Sequence, residues 1–147
     1  MTAVSTRTYP APVLAAAVLA AEGASFLLVG SAALWLHGES ITVADADVVI
    51  DPAAQNLSRL GDVLTRMALR PWAFPSVRDF PLLPLISATT SYGKIDCLLE
   101  RGRVHWEWLH RCAVPIPVAD ASVLVAAPAD AWALRRRFKG GSGNGRT

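Results

Sequence analysis

The strongest constraint in this sequence is an apolar run that stops at a glycine and is followed, after a short gap, by two alternating carboxylates. The run 26–29 is continuously apolar, which predicts a short buried strand, and Gly30 and Ser31 follow it directly. After thirteen further residues come Asp45 and Asp47, which alternate with apolar residues in a second predicted strand. Residues two apart on a strand share a face, so both carboxylates lie on one face and the other face belongs to the core.

The two carboxylates favour a bound cation. Their Cα atoms would lie about 6.5–7 Å apart, and unpaired charges at that distance repel by roughly 2 kcal/mol at an effective dielectric of about 20. A divalent ion between Asp45 and Asp47 reverses the sign of this term, and oxygen ligands that leave positions open for phosphate suit Mg²⁺, with Mn²⁺ as the alternative. Asp96 is the candidate third ligand, since it shares a strand face with Lys94 in the predicted strand 94–99. The three acids converge if this strand pairs beside the strand that carries Asp45 and Asp47.

The turn after the first strand is a candidate phosphate contact. Gly30 lets the backbone approach a ligand closely, and Ser31 is predicted to cap a short helix that runs to Leu36. Each feature alone has an ordinary explanation: a Gly-Ser turn, an exposed strand face, or an ion pair of Asp96 with Lys94 or Arg101. The combination and its order carry the hypothesis.

Composition predicts one compact domain. The chain has 147 residues, is 52% hydrophobic and carries a net charge of +2, which suits a single core and excludes extensive disorder. We expect an N-terminal extension at 1–9, a folded domain at 10–139 and a flexible Gly-rich tail at 140–147. The apolar segment 13–21 is too short to span a membrane, so we expect a cytoplasmic protein without a membrane partner.

Periodicity and turn signals predict alternating helices and strands, which indicates a mixed α/β or α+β domain. Asp51 is the predicted N-cap of the helix after the second strand, and residues 91–93 form a predicted hairpin turn. The predicted helices and strands are 10–22 (helix), 26–29 (strand), 31–36 (helix), 44–50 (strand), 85–90 and 94–99 (hairpin strands), 114–118 and 122–125 (strands) and 128–138 (helix).

Together these residues resemble the polymerase-β-like nucleotidyltransferase superfamily. The superfamily pattern is an apolar residue, then Gly, then either Gly or Ser, and, after a short gap, Asp-x-Asp. In this sequence the pattern is Val29-Gly30-Ser31 followed by Asp45 and Asp47. The run that begins at Gly30 is especially similar to small prokaryotic members that include the AbiEii/MenA-type toxins of toxin–antitoxin systems. Segment 130–135 resembles a later helix of the family, with Arg135 in place of the usual lysine.

The resemblance implies a mixed β-sheet flanked by helices in a single domain. It also implies Mg²⁺-dependent transfer of a nucleoside monophosphate from an NTP to a hydroxyl of RNA, such as tRNA, or of a protein. A cognate antitoxin or another partner chain is the implied macromolecular partner. The implied site residues are Asp45, Asp47 and Asp96 for metal binding and catalysis, and Gly30, Ser31, Lys94 and Arg135 for nucleotide binding.

Segment 39–42 departs from the family pattern, because it lacks the Arg or Lys that often precedes the acids. This departure keeps an alternative open: a catalytically weak or inactive relative that binds nucleotide or protein. An unrelated small α/β domain, whose acids are surface or helix-cap residues, is the remaining alternative.

Overall fold

The computed structural model describes residues 8–70, 85–99 and 103–134. Within these ranges the chain forms six strands and several helices in the predicted order. They are α1 (Ala11–Ala21), β1 (Phe26–Val29), α2 (Gly30–Leu36), β2 (Asp45–Ile50), α3 (Ala54–Met67), β3 (Leu85–Thr90), β4 (Gly93–Leu98), α4 (Arg103–Arg111), β5 (Val114–Val118) and β6 (Ala121–Val125). Residues 128–134 are also helical.

The strands form one six-stranded mixed sheet in the order β3-β4-β2-β1-β6-β5. β1 and β2 are antiparallel, whereas β2 pairs with β4, and β1 with β6, in parallel. The β3–β4 hairpin and the β5–β6 pair are antiparallel and complete the two sides of the sheet. The predicted fold class, a mixed sheet with helices in a single domain, is confirmed.

The core explains why β1 and β2 occupy the centre of the sheet. All four residues of β1 are buried, and on β2 the side chains of Ala46, Val48 and Ile50 are buried, as the alternation predicted. α1 packs against β2, β4 and β6, and α2 packs against β1 and β2. α1 consists largely of alanine and small apolar residues, which allow its backbone to lie close to the sheet.

Two predicted helix caps are wrong. α2 begins at Gly30 with Val29 as its N-cap residue, so Ser31 lies inside the helix and does not cap it. α3 begins at Ala54 with Ala53 as its N-cap residue, later than the predicted start at Asp51. The Asp51 carboxylate instead accepts a hydrogen bond from the Ala53 N–H at 3.0 Å, a local turn that competes with helix initiation.

β5 lies at one edge of the sheet and carries two prolines, Pro115 and Pro117. Proline has no N–H, and within sheets it is confined to positions where no ladder donor is needed. Two prolines at alternate positions therefore make this edge a poor template for a further strand.

The predicted boundaries at 1–9, 10–139 and 140–147 stay predictions, since residues 1–7 and 135–147 lie outside the described ranges. Among the described residues, no helix has the length and apolar character needed to cross a membrane.

Asn56 ties two loops together beside the central strands. Its side-chain carbonyl accepts from the Ser25 N–H at 2.7 Å, while its amide donates to the carbonyls of Ser25 at 2.8 Å and Asp51 at 2.9 Å. The Asn56 side chain is buried, so these three bonds satisfy polar groups that water reaches poorly. They connect the loop before β1 with the loop after β2.

We expect Asn56→Ala to lower the free energy of unfolding by about 1–3 kcal/mol, because it leaves buried backbone groups without partners. The control is Gln55→Ala, an exposed neighbour on the same helix, which should change stability by less than about 0.5 kcal/mol. Urea denaturation of both variants measures the difference. Equal effects of the two substitutions would contradict the role assigned to Asn56.

Candidate functional site

Three carboxylates meet where β2 and β4 pair. The parallel register sets Asp47 directly opposite Asp96, and Asp45 lies two residues before Asp47 on the same strand. Each of the three residues offers a carboxylate oxygen, and these oxygens all lie within 4.8 Å of one another. The strand pairing on which the sequence hypothesis depended is therefore present, and it brings the three predicted acids to one point.

Gly30 lies against one of these carboxylates, that of Asp47. Val29 pairs with Asp47 across the β1–β2 ladder, so the residue after Val29 lies against the Asp47 side chain. Gly30 has φ +69°, and a Cβ placed there would lie 2.5 Å from Asp47 Oδ2. A side chain at this position would be strained by the backbone and would also displace the carboxylate. Glycine is thus required here for the position of Asp47.

Asp96 is buried and is held by two neighbours. The Ser87 hydroxyl on β3 donates to Asp96 Oδ1 at 2.6 Å, and Lys94 Nζ lies 3.6 Å from the same oxygen. Sequence analysis missed Ser87. The register of the hairpin could have located it, because Ser87 lies opposite Asp96 once Thr90 pairs with Gly93.

The carboxylates perturb one another. Burial first, and then the charges of Asp45 and Asp96, raise the pKa of Asp47 from 3.8 to about 7. Burial, followed by the charge of Asp96, also raises the pKa of Asp45, while the Lys94 ammonium opposes this rise. Both pKa shifts show that burial and mutual repulsion disfavour the fully charged cluster.

The donor set fits a divalent cation. Among the described residues, Lys94 lies within ion-pair distance of Asp96. Its side chain is half exposed, so it compensates the charge of three acids poorly. Carboxylate oxygens are hard ligands of the kind that Mg²⁺ and Mn²⁺ prefer. Asp45, Asp47 and Asp96 could therefore hold such an ion.

The remaining predicted site residues differ in how well the structure locates them. Ser31 lies in the first turn of α2, next to Gly30, and is partly exposed. Lys94 lies beside the acids, opposite Asp45 in the β2–β4 register. Arg135 lies outside the described residues, so its predicted nucleotide contact stays a prediction.

His37 connects α2 to the chain that follows β6. Its Nε2 lies 2.8 Å from the carbonyl oxygen of Ala126, and the Ala126 N–H donates to the Leu28 carbonyl at 2.9 Å. These contacts anchor the chain immediately before the helical residues 128–134.

Comparison with solved structures supports this description. A crystal structure from Thermotoga maritima, of a protein named as a "putative nucleotidyltransferase", superposes with a TM-score of 0.54 over 79% of this chain and 74% of that chain. The chain has a nucleotidyltransferase-like fold. The two sequences are 10% identical, so the likeness is one of fold. No family model matches this sequence, and no curated protein matches it significantly. The AbiEii/MenA-type assignment stays a prediction.

We expect Gly30→Ala to lower the affinity for Mn²⁺ by about tenfold or more, because the new Cβ displaces the Asp47 carboxylate. Gly38→Ala is a matched control: Gly38 also has positive φ, at +99°, but a Cβ there meets nothing within 4 Å. Both substitutions strain the backbone, and only Gly30→Ala should change the metal affinity, measured by isothermal titration calorimetry. A similar loss in both variants would mean that strain, and not the clash with Asp47, is responsible.

The raised pKa of Asp47 predicts how stability depends on pH. The folded state keeps a proton on Asp47 up to about pH 7, whereas the unfolded chain releases it near pH 3.8. The free energy of unfolding of the metal-free protein should therefore fall as the pH rises between these values.

Asp47→Asn should flatten this slope, because the amide does not titrate. Since metal and proton compete for the carboxylate, the stabilisation by Mg²⁺ should increase with pH over the same window. Thermal unfolding in chelator and in Mg²⁺ at several pH values measures both effects. A metal-free slope that Asp47→Asn leaves unchanged would assign the titration to another group.

Proposed function

We propose that this protein is a Mg²⁺-dependent nucleotidyltransferase that moves a nucleoside monophosphate from an NTP to a hydroxyl group and releases pyrophosphate. The observation that carries the proposal is the cluster of three carboxylates within 4.8 Å, packed against Gly30 in a nucleotidyltransferase-like fold. The alternative of acids scattered on the surface or at helix caps does not account for this geometry.

The start of α2 is the proposed phosphate contact. The first N–H groups of a helix have no intrahelical partner, and within the described part of the chain no side chain caps α2. Gly30 has no side chain to keep a phosphate away from these groups, and the Ser31 hydroxyl adds a donor. Gly30 lies against Asp47 and Ser31 directly follows it, so a phosphate bound there would also be near the proposed metal site.

The acids have separate proposed roles. Asp45 and Asp47, with Asp96 completing the site, would hold Mg²⁺, which would neutralise charge on the triphosphate and on the departing pyrophosphate. Asp96 is the proposed base that accepts the proton of the attacking hydroxyl while the new phosphate ester forms. Ser87 and Lys94 hold one oxygen of Asp96, so the carboxylate has a defined orientation.

Lys94 and Arg135 are the proposed cationic contacts of the nucleotide. Lys94 is half exposed and only 3.6 Å from Asp96, so its long side chain can turn toward a triphosphate when a metal ion compensates the acids. Arg135 directly follows the helical residues 128–134, which His37 helps to anchor through Ala126.

RNA, such as tRNA, or a protein is the proposed acceptor, and a toxin with a cognate antitoxin is the proposed biological setting. The sequence resemblance to the AbiEii/MenA-type toxins supports both. A second candidate function is nucleotide or protein binding without efficient transfer. It is favoured by segment 39–42, which offers no cation just before Asp45.

The test of the proposal is incubation with each of the four α-³²P-labelled NTPs, Mg²⁺ or Mn²⁺, and total RNA or a protein extract. We expect label in one macromolecular fraction. Asp96→Asn should reduce the rate by about 10²–10⁴-fold, because the proton acceptor is lost, and Asp47→Asn should reduce it comparably through loss of metal. Asp62→Asn, an exposed acid on α3, is the control and should leave the rate unchanged.

No label in either fraction with any NTP would contradict transfer. If NTP binding then still required the metal and Asp47, the second candidate, a binding module, would account for the site.

A further inference from the structure

We propose that Ser87 is a positioning residue of this site: its hydroxyl fixes the Asp96 carboxylate so that Oδ1 is held and Oδ2 is presented to the metal ion or to the attacking hydroxyl. The effect on catalysis rests on the proposed function, whereas the effect on metal binding does not.

The β3–β4 register makes this contact possible. Ser87 and Asp96 are direct partners across the antiparallel hairpin, and directly opposed residues have Cβ atoms about 4.5–5.5 Å apart on one face of a sheet. A serine hydroxyl spans that gap to a carboxylate, and here it donates to Asp96 Oδ1 at 2.6 Å. This distance is typical of a charge-assisted hydrogen bond.

The Asp96 carboxylate needs such a restraint. The terminal torsion of an aspartate has a broad, two-fold energy profile, so the backbone alone does not select which oxygen faces the cluster. The carboxylates of Asp45 and Asp47 repel Asp96 when all three are charged, and this repulsion favours rotation away from them. A donor on the neighbouring strand opposes that rotation.

Lys94 restrains Asp96 less well than Ser87 does. Its ammonium lies 3.6 Å from the same Oδ1, on a half-exposed and flexible side chain. Because the ammonium is half exposed and lies farther from Oδ1 than the Ser87 hydroxyl does, solvent screens this ion pair and it restrains the carboxylate less. Both contacts nevertheless fall on Oδ1, which is why the geometry assigns Oδ2 to the metal or the acceptor.

Packing does not explain a serine at position 87. Its strand neighbours Ile86 and Ala88 are buried in the core, whereas Ser87 is exposed on the opposite face of β3. Serine lacks the branched or aromatic side chain that strands favour. Its hydroxyl instead donates a hydrogen bond to Asp96.

The test compares three variants: Ser87→Ala, Ser87→Thr and Thr89→Ala. Thr89 is the matched control, since it is an exposed hydroxyl residue two positions along the same strand face. Mn²⁺ alone is titrated into each folded variant by calorimetry, with thermal unfolding to establish that the variants are folded.

Substitution of a residue that orients a metal ligand changes metal affinity by about 10–100-fold. Ser87→Ala should therefore weaken Mn²⁺ binding by about tenfold, while Ser87→Thr and Thr89→Ala should stay within about twofold of the wild type.

Transfer kinetics give an independent measurement. Ser87→Ala should lower kcat with little change in KM for the NTP, and Ser87→Thr should restore kcat, because the loss affects the orientation of Asp96 and not the triphosphate contacts.

Three results would overturn the proposal: Mn²⁺ affinity unchanged in Ser87→Ala, an equal loss in Thr89→Ala, or no rescue by Ser87→Thr. If the Mn²⁺ pattern holds but the wild type transfers no nucleotide, the proposed function fails and the positioning role stands. If the wild type transfers nucleotide and Ser87→Ala transfers it equally well, the positioning role fails and the function stands. A wild type that binds no Mn²⁺ overturns both.

Discussion

The parallel pairing of β2 with β4 is the contact on which the rest of the site depends. It sets Asp47 opposite Asp96, and the adjacent pairing of β1 with β2 sets Val29 opposite Asp47, so that Gly30 follows at the same point. The force that maintains this register is apolar burial on the other face, where Val48 and Cys97 are fully buried. A slip by one residue would turn the core side chains to the surface. The hydrophobic core therefore holds three mutually repelling acids together.

That arrangement concentrates electrostatic repulsion at one point of the sheet. The pKa of Asp47 rises to about 7 because burial and two acids disfavour its charged form. Functional sites commonly break the rules that the remainder of a sequence obeys, and here the departure is specific. The charge excess, the absence of a side chain at Gly30 and the oriented Asp96 all favour a cation with open coordination positions. The charge repulsion that lowers stability without a metal ion is also what favours binding of one.

Much of the fold was predictable from local pattern. The burial of 26–29, the alternation in β2 as far as Val48 and the hairpin around 91–93 all follow from the order of apolar and polar residues, and the structure confirms them. Helix starts were less predictable: Ser31 and Asp51 were expected as caps, but α2 and α3 begin at Gly30 and Ala54. Capping residues also form local turns, as Asp51 does, and sequence alone does not distinguish the two. Ser87 went unnoticed because its contact with Asp96 depends on the register of the hairpin and leaves no mark in the order of apolar and polar residues.

The sequence by itself determined which acids share a strand face and which turn precedes them, because side-chain direction alternates along a strand whatever it pairs with. It thereby named Asp45, Asp47 and Asp96 as candidates, and the resemblance to the polymerase-β-like superfamily indicated a nucleotidyltransferase-like fold. Only the tertiary structure decided that β4 lies beside β2 with Asp96 in register, that Gly30 touches Asp47 and that Ser87 orients Asp96. Strand order and register depend on the summed burial of side chains remote in sequence, and no local pattern contains that sum.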